Sequence, residues 1–347
     1  MKRATPFTVD DERPALIRLT ALWALNEAGL GGLMHLFRSP FTGIFVGGGA
    51  ILLIALIAHT AKRPGPAILQ ALLLVLIIKA AVSPHSPPTA YLAVGFQGLA
   101  GALLFSLLPS FRLSALMLGV LGLLESALQK LLVMTILFGM PLWKSVDAFI
   151  DYVLQKFGLL GEQSEVQGSQ WLIGLYVGLY VVSGLAIGWL AGRLPEEVRA
   201  AAARLTLPDV GPAMKESEKQ KPKAFWQRPK VRSIAFTLLA LAGIYALAPG
   251  ARQVLAPLWL LVRVLAVLAI WYFLIAPLLL RFLKRFLQKR SAAYHDEVNA
   301  ALALLPAFRR LVQAAWLETR EMRGLRRWKE LMVRSITYAL LYTGHKT

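Results

Sequence analysis

The stretch Trp23–Gly49, WALNEAGLGGLMHLFRSPFTGIFVGGG, decides how the rest of the chain is read. It sets Asn26, Glu27, His35 and Arg38 between apolar runs, then closes with Ser39-Pro40-Phe41-Thr42-Gly43 and the glycines Gly47, Gly48 and Gly49. The apolar runs on either side are long enough to belong to membrane helices. Polar groups and irregular backbone are tolerated at membrane depth only where they are buried in protein or line a cavity. The stretch therefore predicts two helices joined by a turn, with a polar feature between them.

The composition supports that setting. Of 347 residues, 57% are hydrophobic and only 16% charged, against about 25% charged in an ordinary soluble domain. Several runs exceed the roughly 18–20 apolar residues that cross a hydrocarbon core. The formal charge of +19 comes from 38 Lys and Arg against 19 Asp and Glu. In a membrane protein such an excess is read first as cytoplasmic loops and contact with anionic lipid, and no nucleic-acid partner is expected. There is no cysteine, which excludes disulfides, thiolate metal sites and thiol redox chemistry. The fold expected is an all-α polytopic membrane protein.

Eight spans are predicted, at 14–34, 41–60, 66–84, 89–109, 113–139, 170–193, 231–249 and 254–280. With the N-terminus inside, Lys62, Arg63, Arg112, the stretch 193–232, Arg281, Lys284 and Arg285 all face the cytoplasm, as the positive-inside rule requires. The connections 35–40, 83–89, 140–169 and 249–253 then lie outside, and both termini are cytoplasmic. The chain divides into a six-span domain (1–194), a Pro- and Lys-rich linker (195–229), two further spans (230–282) and a basic amphipathic helical tail (283–347). Cationic amphipathic helices suit an anionic membrane surface or a groove on a partner.

The polar residues within the first six spans are Asn26, Glu27, Lys79, Gln97, Glu125, Gln129 and Lys130. Two readings stand for each: they pair inside the bundle, Glu125 and Lys130 with each other or with Lys79, or they line a cavity. Lys79, His85, Gln97 and Lys130 fall in the outer half of the topology, together with His35 and Thr42. Pro84, Pro87 and Pro88 around His85 make that hairpin rigid. The aromatic residues Phe41 and Tyr91 lie at the same level. His35 and His85 with Glu27 or Glu125 match no known metal-ligand spacing, and no metal or other cofactor is expected. Neither HExxH, GxSxG nor a P-loop occurs, so intrinsic ATP hydrolysis is not expected. Two rows of small residues, Ala24-xxx-Ala28-xxx-Gly32 and Gly184-xxx-Gly188-xxx-Gly192, let helix backbones approach closely, within the chain or with a partner.

Six spans with cytoplasmic ends, the Ala24/Ala28/Gly32 row and the SPFTGIFVGG stretch together resemble the S component of energy-coupling-factor transporters, over residues 10–195. The resemblance implies a prokaryotic inner (plasma) membrane location and capture of a vitamin-like small molecule near the outer surface. It also implies a ligand covered by the loop between the first two helices, and a first helix that packs on the coupling component. Candidate binding residues are then Asn26, Glu27, His35, Phe41, Thr42, Lys79, His85, Tyr91, Gln97, Glu125 and Gln129. The tail more loosely resembles the coupling end of a T component, whose Ala-Arg-Gly or Ala-Arg-Ser triplets dock on ATPase subunits. Here the triplets read Met322-Arg323-Gly324 and Val333-Arg334-Ser335, departing from the pattern at the first residue. Candidate coupling residues are Ala24, Ala28, Gly32, Arg323, Gly324, Arg334 and Ser335, and the ATPases would be separate chains. A membrane scaffold recruiting partners or anionic lipid through its tail, and an intramembrane enzyme on a lipid substrate, are the alternatives from other classes.

Overall fold

A computed structural model describes residues 12–30, 41–83, 86–159, 166–208, 255–291 and 293–342. The span at 231–249, most of the linker, Gly32, His35, Arg38, Pro84 and His85 lie outside the described residues. Within them the protein is all helical. Ten helices follow in order: α1 (Glu12–Leu25, prolonged by a π-helical turn Asn26–Leu30), α2 (Gly43–Thr60), α3 (Pro64–Val82), α4 (Pro88–Leu107) and α5 (Phe111–Phe138). Then come α6 (Met140–Lys156), α7 (Gly168–Ala202), α8 (Leu255–Ala269, a π-helical turn Ile270–Ile275, and Ala276–Ser291), α9 (His295–Glu318) and α10 (Gly324–Leu341). Seven of the described helices are long and apolar enough to cross a membrane: α2, α3, α4, α5, α7, the Leu261–Arg290 part of α8, and α9.

Local sequence explains the boundaries. Proline opens α3, α4 and α6 in the first turn, where a missing N–H costs nothing. Ser110 caps α5 by accepting a hydrogen bond from the Leu113 N–H at 3.4 Å. Gly139 ends it with φ +68°, a conformation that a side chain disfavours. Apolar residues cover α2 on every side, and from Gly48 to Ala58 every residue is buried. Such a helix belongs at the centre of a bundle; α2 touches α1, α3, α4, α5 and α7.

The most extensive contact joins α5 to α7, and the second small-residue row makes it. A Cβ at Gly188 would stand 2.7 Å from the Leu116 Cα and 2.9 Å from the Ala115 carbonyl oxygen. Gly119 on α5 faces the backbone of Gly184 and Gly188 in turn. Dispersion at this approach replaces the hydrophobic effect, which lipid does not supply between helices. The row therefore serves packing within the chain.

Three features differ from the sequence reading. First, 140–169 is not a plain connection, since α6 occupies it. Its Asp147 accepts from the Ser169 N–H at 2.7 Å and its Asp151 from the Val166 N–H at 2.9 Å, tying α6 to the start of α7. Second, α7 runs on to Ala202 through Pro195. Third, the tail is docked. Val298, Ala301, Leu305, Phe308, Leu311 and Ala315 form one buried face of α9, which packs along α1. The next helix, α10, packs on α7, α9 and α1. Its Lys329 pairs with Glu197 at 2.7 Å, and Arg18 of α1 donates to the Leu340 carbonyl at 2.7 Å. Apolar periodicity of this kind marks a buried face without naming what covers it; the expectation is a membrane surface or a partner's groove, and within the described residues α9 and α10 pack on this chain's own helices.

Replacing Gly188 by Val puts methyl groups into the α5 backbone. Overpacking of this kind costs about 1–3 kcal/mol, and Gly188→Val is expected to lower the thermal midpoint of the detergent-purified protein by several degrees. An unchanged midpoint would remove the α5–α7 seam as the basis of the fold.

Candidate functional site: a polar cavity at one end of the bundle

A cavity of about 490 Å³ lies where α1 to α5, α7 and α8 converge. Its volume falls in the range of pockets for drug-sized ligands, roughly 300–1,000 Å³. The α3–α4 connection closes one side with Ser83, Ser86 and Pro87, and the Ser86 hydroxyl donates to that of Ser83 at 3.0 Å.

One wall carries an ion pair. The Lys79 ammonium sits 2.7 Å from the Glu27 carboxylate, with the two side chains only 5% and 3% exposed. Lys79 also reaches the Ala90 carbonyl at 3.5 Å and stands 5.8 Å from the centre of the Tyr91 ring. Burying both charges costs several kcal/mol, which their attraction and added hydrogen bonds offset. The pair ties α1 to α3 at a fixed register. It is not the pairing that the sequence suggested, in which Lys79 meets Glu125 or Lys130.

The second polar element is Gln97 of α4, 2% exposed and lining the cavity. Glycine makes room for it, since a Cβ at Gly47 would lie 2.8 Å from the Gln97 Nε2. Gly49 does the same for Asn26, whose Nδ2 donates to the Val46 carbonyl at 2.8 Å. Gln129 donates to the Thr89 carbonyl at 3.1 Å, holding the start of α4 against α5.

All three π-helical turns of the described chain reach this cavity. Asn26–Leu30 contributes Glu27, Gly43–Gly47 contributes Gly43, Val46 and Gly47, and Ile270–Ile275 contributes Trp271. A π turn inserts a residue into the helical ladder and re-aims the side chains around it, which is why such turns collect at functional sites.

Of the residues singled out from sequence, Glu27, Thr42, Lys79, Gln97 and Gln129 line the cavity together. Asn26, Phe41, Tyr91 and Glu125 do not. Asn26 braces α2 and Tyr91 is buried beside Lys79. Phe41 is 39% exposed beside Thr42, and Glu125 is half-buried with its Oε2 lacking a hydrogen-bond partner among the described residues. Ser126, Lys130, Val133, Ile136 and Leu137 line the cavity from α5, at steps of one to four residues that keep to one helical face. That face includes Gln129 and passes by Glu125, a discrimination that i, i+3, i+4 spacing offers from sequence alone. Trp271, Val267 and Leu268, contributed by α8, carry no comparable signal. No group of three or more His, Cys, Asp or Glu side chains suited to a metal ion occurs among the described residues.

The two tail triplets differ in their surroundings. Arg323 and Gly324 are exposed at the start of α10, where Gly324 has φ +62°. Val333 and Ser335 are buried, and Arg334 is held by Glu318 at 2.7 Å. Tyr338 donates to the same carboxylate at 2.6 Å, and burial together with that bond pushes its phenol up to about 12. The second triplet thus closes the α9–α10 hairpin.

Comparison with protein-family models, curated proteins and solved structures gives no match to this chain.

Removing one member of the buried pair leaves the other uncompensated, at a cost of about 3–5 kcal/mol. Lys79→Met is therefore expected to reduce thermal stability sharply, and the double variant Glu27→Gln/Lys79→Met to recover most of the loss. Simple additivity of the two single effects in a double-mutant cycle would show that the groups do not interact.

Proposed function

We propose that this chain is the substrate-capturing subunit of an uptake transporter of the energy-coupling-factor type, taking up a vitamin-like small molecule and energised by separate ATPase subunits. On this reading it spans the membrane eight times, six in the capture domain and two before the tail. Its termini face the cytoplasm of a prokaryotic cell, and the cavity opens outward.

One observation carries the reading. A cavity of ligand size gathers the side chains of Glu27, Thr42, Lys79, Gln97 and Gln129 on its walls. A few convergent polar groups in an otherwise apolar cavity are what orients a bound small molecule. The contacts of α1 add support. It carries Ala24, fully buried, and packs against α9 and α10 of the C-terminal part. This is the role that the resemblance gives to the first helix of an S component against its coupling partner. Of the two coupling triplets, the exposed Arg323-Gly324 is the one accessible to an ATPase on this reading, while Arg334 is held by Glu318 and Ser335 is buried.

Protein purified in mild detergent is expected to release one metabolite in near-stoichiometric amount on denaturation, read by mass spectrometry. Gln97→Ala should reduce it at least tenfold at unchanged melting temperature. Full retention in that variant would remove Gln97 from the site, and absence of any metabolite from the wild-type protein would count against capture. Separately, an ATPase pair should co-purify with the wild-type chain and be lost in Arg323→Glu. Intact association in that variant would sink the coupling role of Arg323.

A further inference from the structure

The lining of the cavity changes character along a single helix. From Ser126 through Gln129 and Lys130 the α5 wall is polar; from Val133 through Ile136 and Leu137 it is apolar. Eleven residues separate Ser126 from Leu137, about 16 Å at 1.5 Å per residue. Gln97 belongs to the polar end, since a Cβ at Gly122, one turn before Ser126, would lie 3.4 Å from its Cγ. Val267, Leu268 and Trp271 of α8 also line the cavity, and α8 packs on α5 with Arg263 against Gly139 at the α5 end.

Among the described residues the apolar end is not sealed. Val133 and Ile136 line the cavity and are still 39% and 50% exposed. Their neighbours Leu132 on α5 and Ile270 and Phe273 on α8 are 61%, 52% and 83% exposed. In helices that cross a membrane, large apolar side chains exposed in this way face lipid. The seam between α5 and α8 therefore connects the cavity to the bilayer past Val133 and Ile136, while Gln97, Ser126, Gln129 and Lys130 lie toward the other end of the α5 wall.

The head group is defined by what it meets. Glu27 and Lys79 neutralise each other at 2.7 Å and Lys130 is engaged by an interaction of its own, so neither lysine calls for a charged ligand. The Gln97 amide offers a donor and an acceptor side by side. A neutral head with an adjacent acceptor and donor, such as an amide or lactam edge, matches it in two hydrogen bonds.

Resting on the capture reading above, we infer that the ligand is an amphipath. A neutral amide-type head pairs with Gln97, and an apolar chain leaves between α5 and α8 into the bilayer.

The test uses the full chain in phosphatidylcholine nanodiscs with a diazirine-bearing hexadecanamide as photoprobe, and diazirine-bearing phosphatidylcholine as the comparison. Labelling by the amide probe is expected on peptides containing Val133–Leu137 and Val267–Trp271, at least tenfold above the phospholipid probe. Gln97→Leu should reduce it at least tenfold, and Leu268→Trp, which fills the seam, should reduce it without touching Gln97. The phospholipid probe, unchanged by either variant, reports that the fold is intact. Equal labelling by both probes, or labelling indifferent to Gln97→Leu, overturns the amphipath. A water-soluble metabolite bound stoichiometrically and unaffected by Leu268→Trp also overturns it, while leaving capture standing. Absence of any bound small molecule overturns capture itself.

Discussion

The buried pair of Glu27 and Lys79 is the interaction on which the arrangement around the cavity depends. It joins the π-helical end of α1 to α3 and sets their register. Lys79 in turn reaches the Ala90 carbonyl at the start of α4 and the Tyr91 ring. Four of the elements around the cavity, α1 through α4, are thereby referred to two charges, with Asn26 completing the link to α2 through the Val46 carbonyl. A hydrophobic pair of similar volume would pack at less desolvation cost. Holding a polar cavity wall in place is what the charged pair adds.

Close approach is the second constraint. The glycines of α2 differ in what they admit: Gly43 faces Ser126 and Tyr180, Gly47 the Gln97 amide, Gly48 the Ile187 side chain and Gly49 the Asn26 amide. Packing and site formation are one requirement here, because the side chains admitted by Gly43 and Gly47 belong to the cavity lining. The α5–α7 glycine seam holds the outer frame, and the docked α9–α10 hairpin holds α1 from the other side. On the capture reading, a ligand in contact with α1, α2 and α8 is mechanically close to the tail that would engage the ATPases.

Much of this was legible in the sequence, for physical reasons. Apolar run length located α2, α3, α4, α5 and α7, because a helix that must cross hydrocarbon has little latitude in composition. Polar residues in those runs pointed to one end of the bundle, and Glu27, Thr42, Lys79, Gln97 and Gln129 do meet there. Sequence separation does not tell Glu27 from Glu125 as the partner of Lys79, since both are distant along the chain and only tertiary packing brings Glu27 near. Tyr91 and Glu125 were included by depth alone; helical face, not depth, decides which residues reach a cavity. The contribution of α8 was invisible, since Trp271 is an ordinary aromatic residue of a lipid-facing helix until the fold places it. The docking of α9 was likewise hidden, because its apolar face suits a membrane surface as well as a neighbouring helix.

The absence of cysteine from the chain makes one direct measurement clean. Ala93 lines the cavity, and Ala93→Cys introduces the sole thiol. A membrane-impermeant maleimide added to intact cells is expected to modify this thiol, and the metabolite co-purifying with the wild-type protein to block the modification. Modification confined to inside-out vesicles, or untouched by that metabolite, would contradict a cavity that captures its ligand from outside.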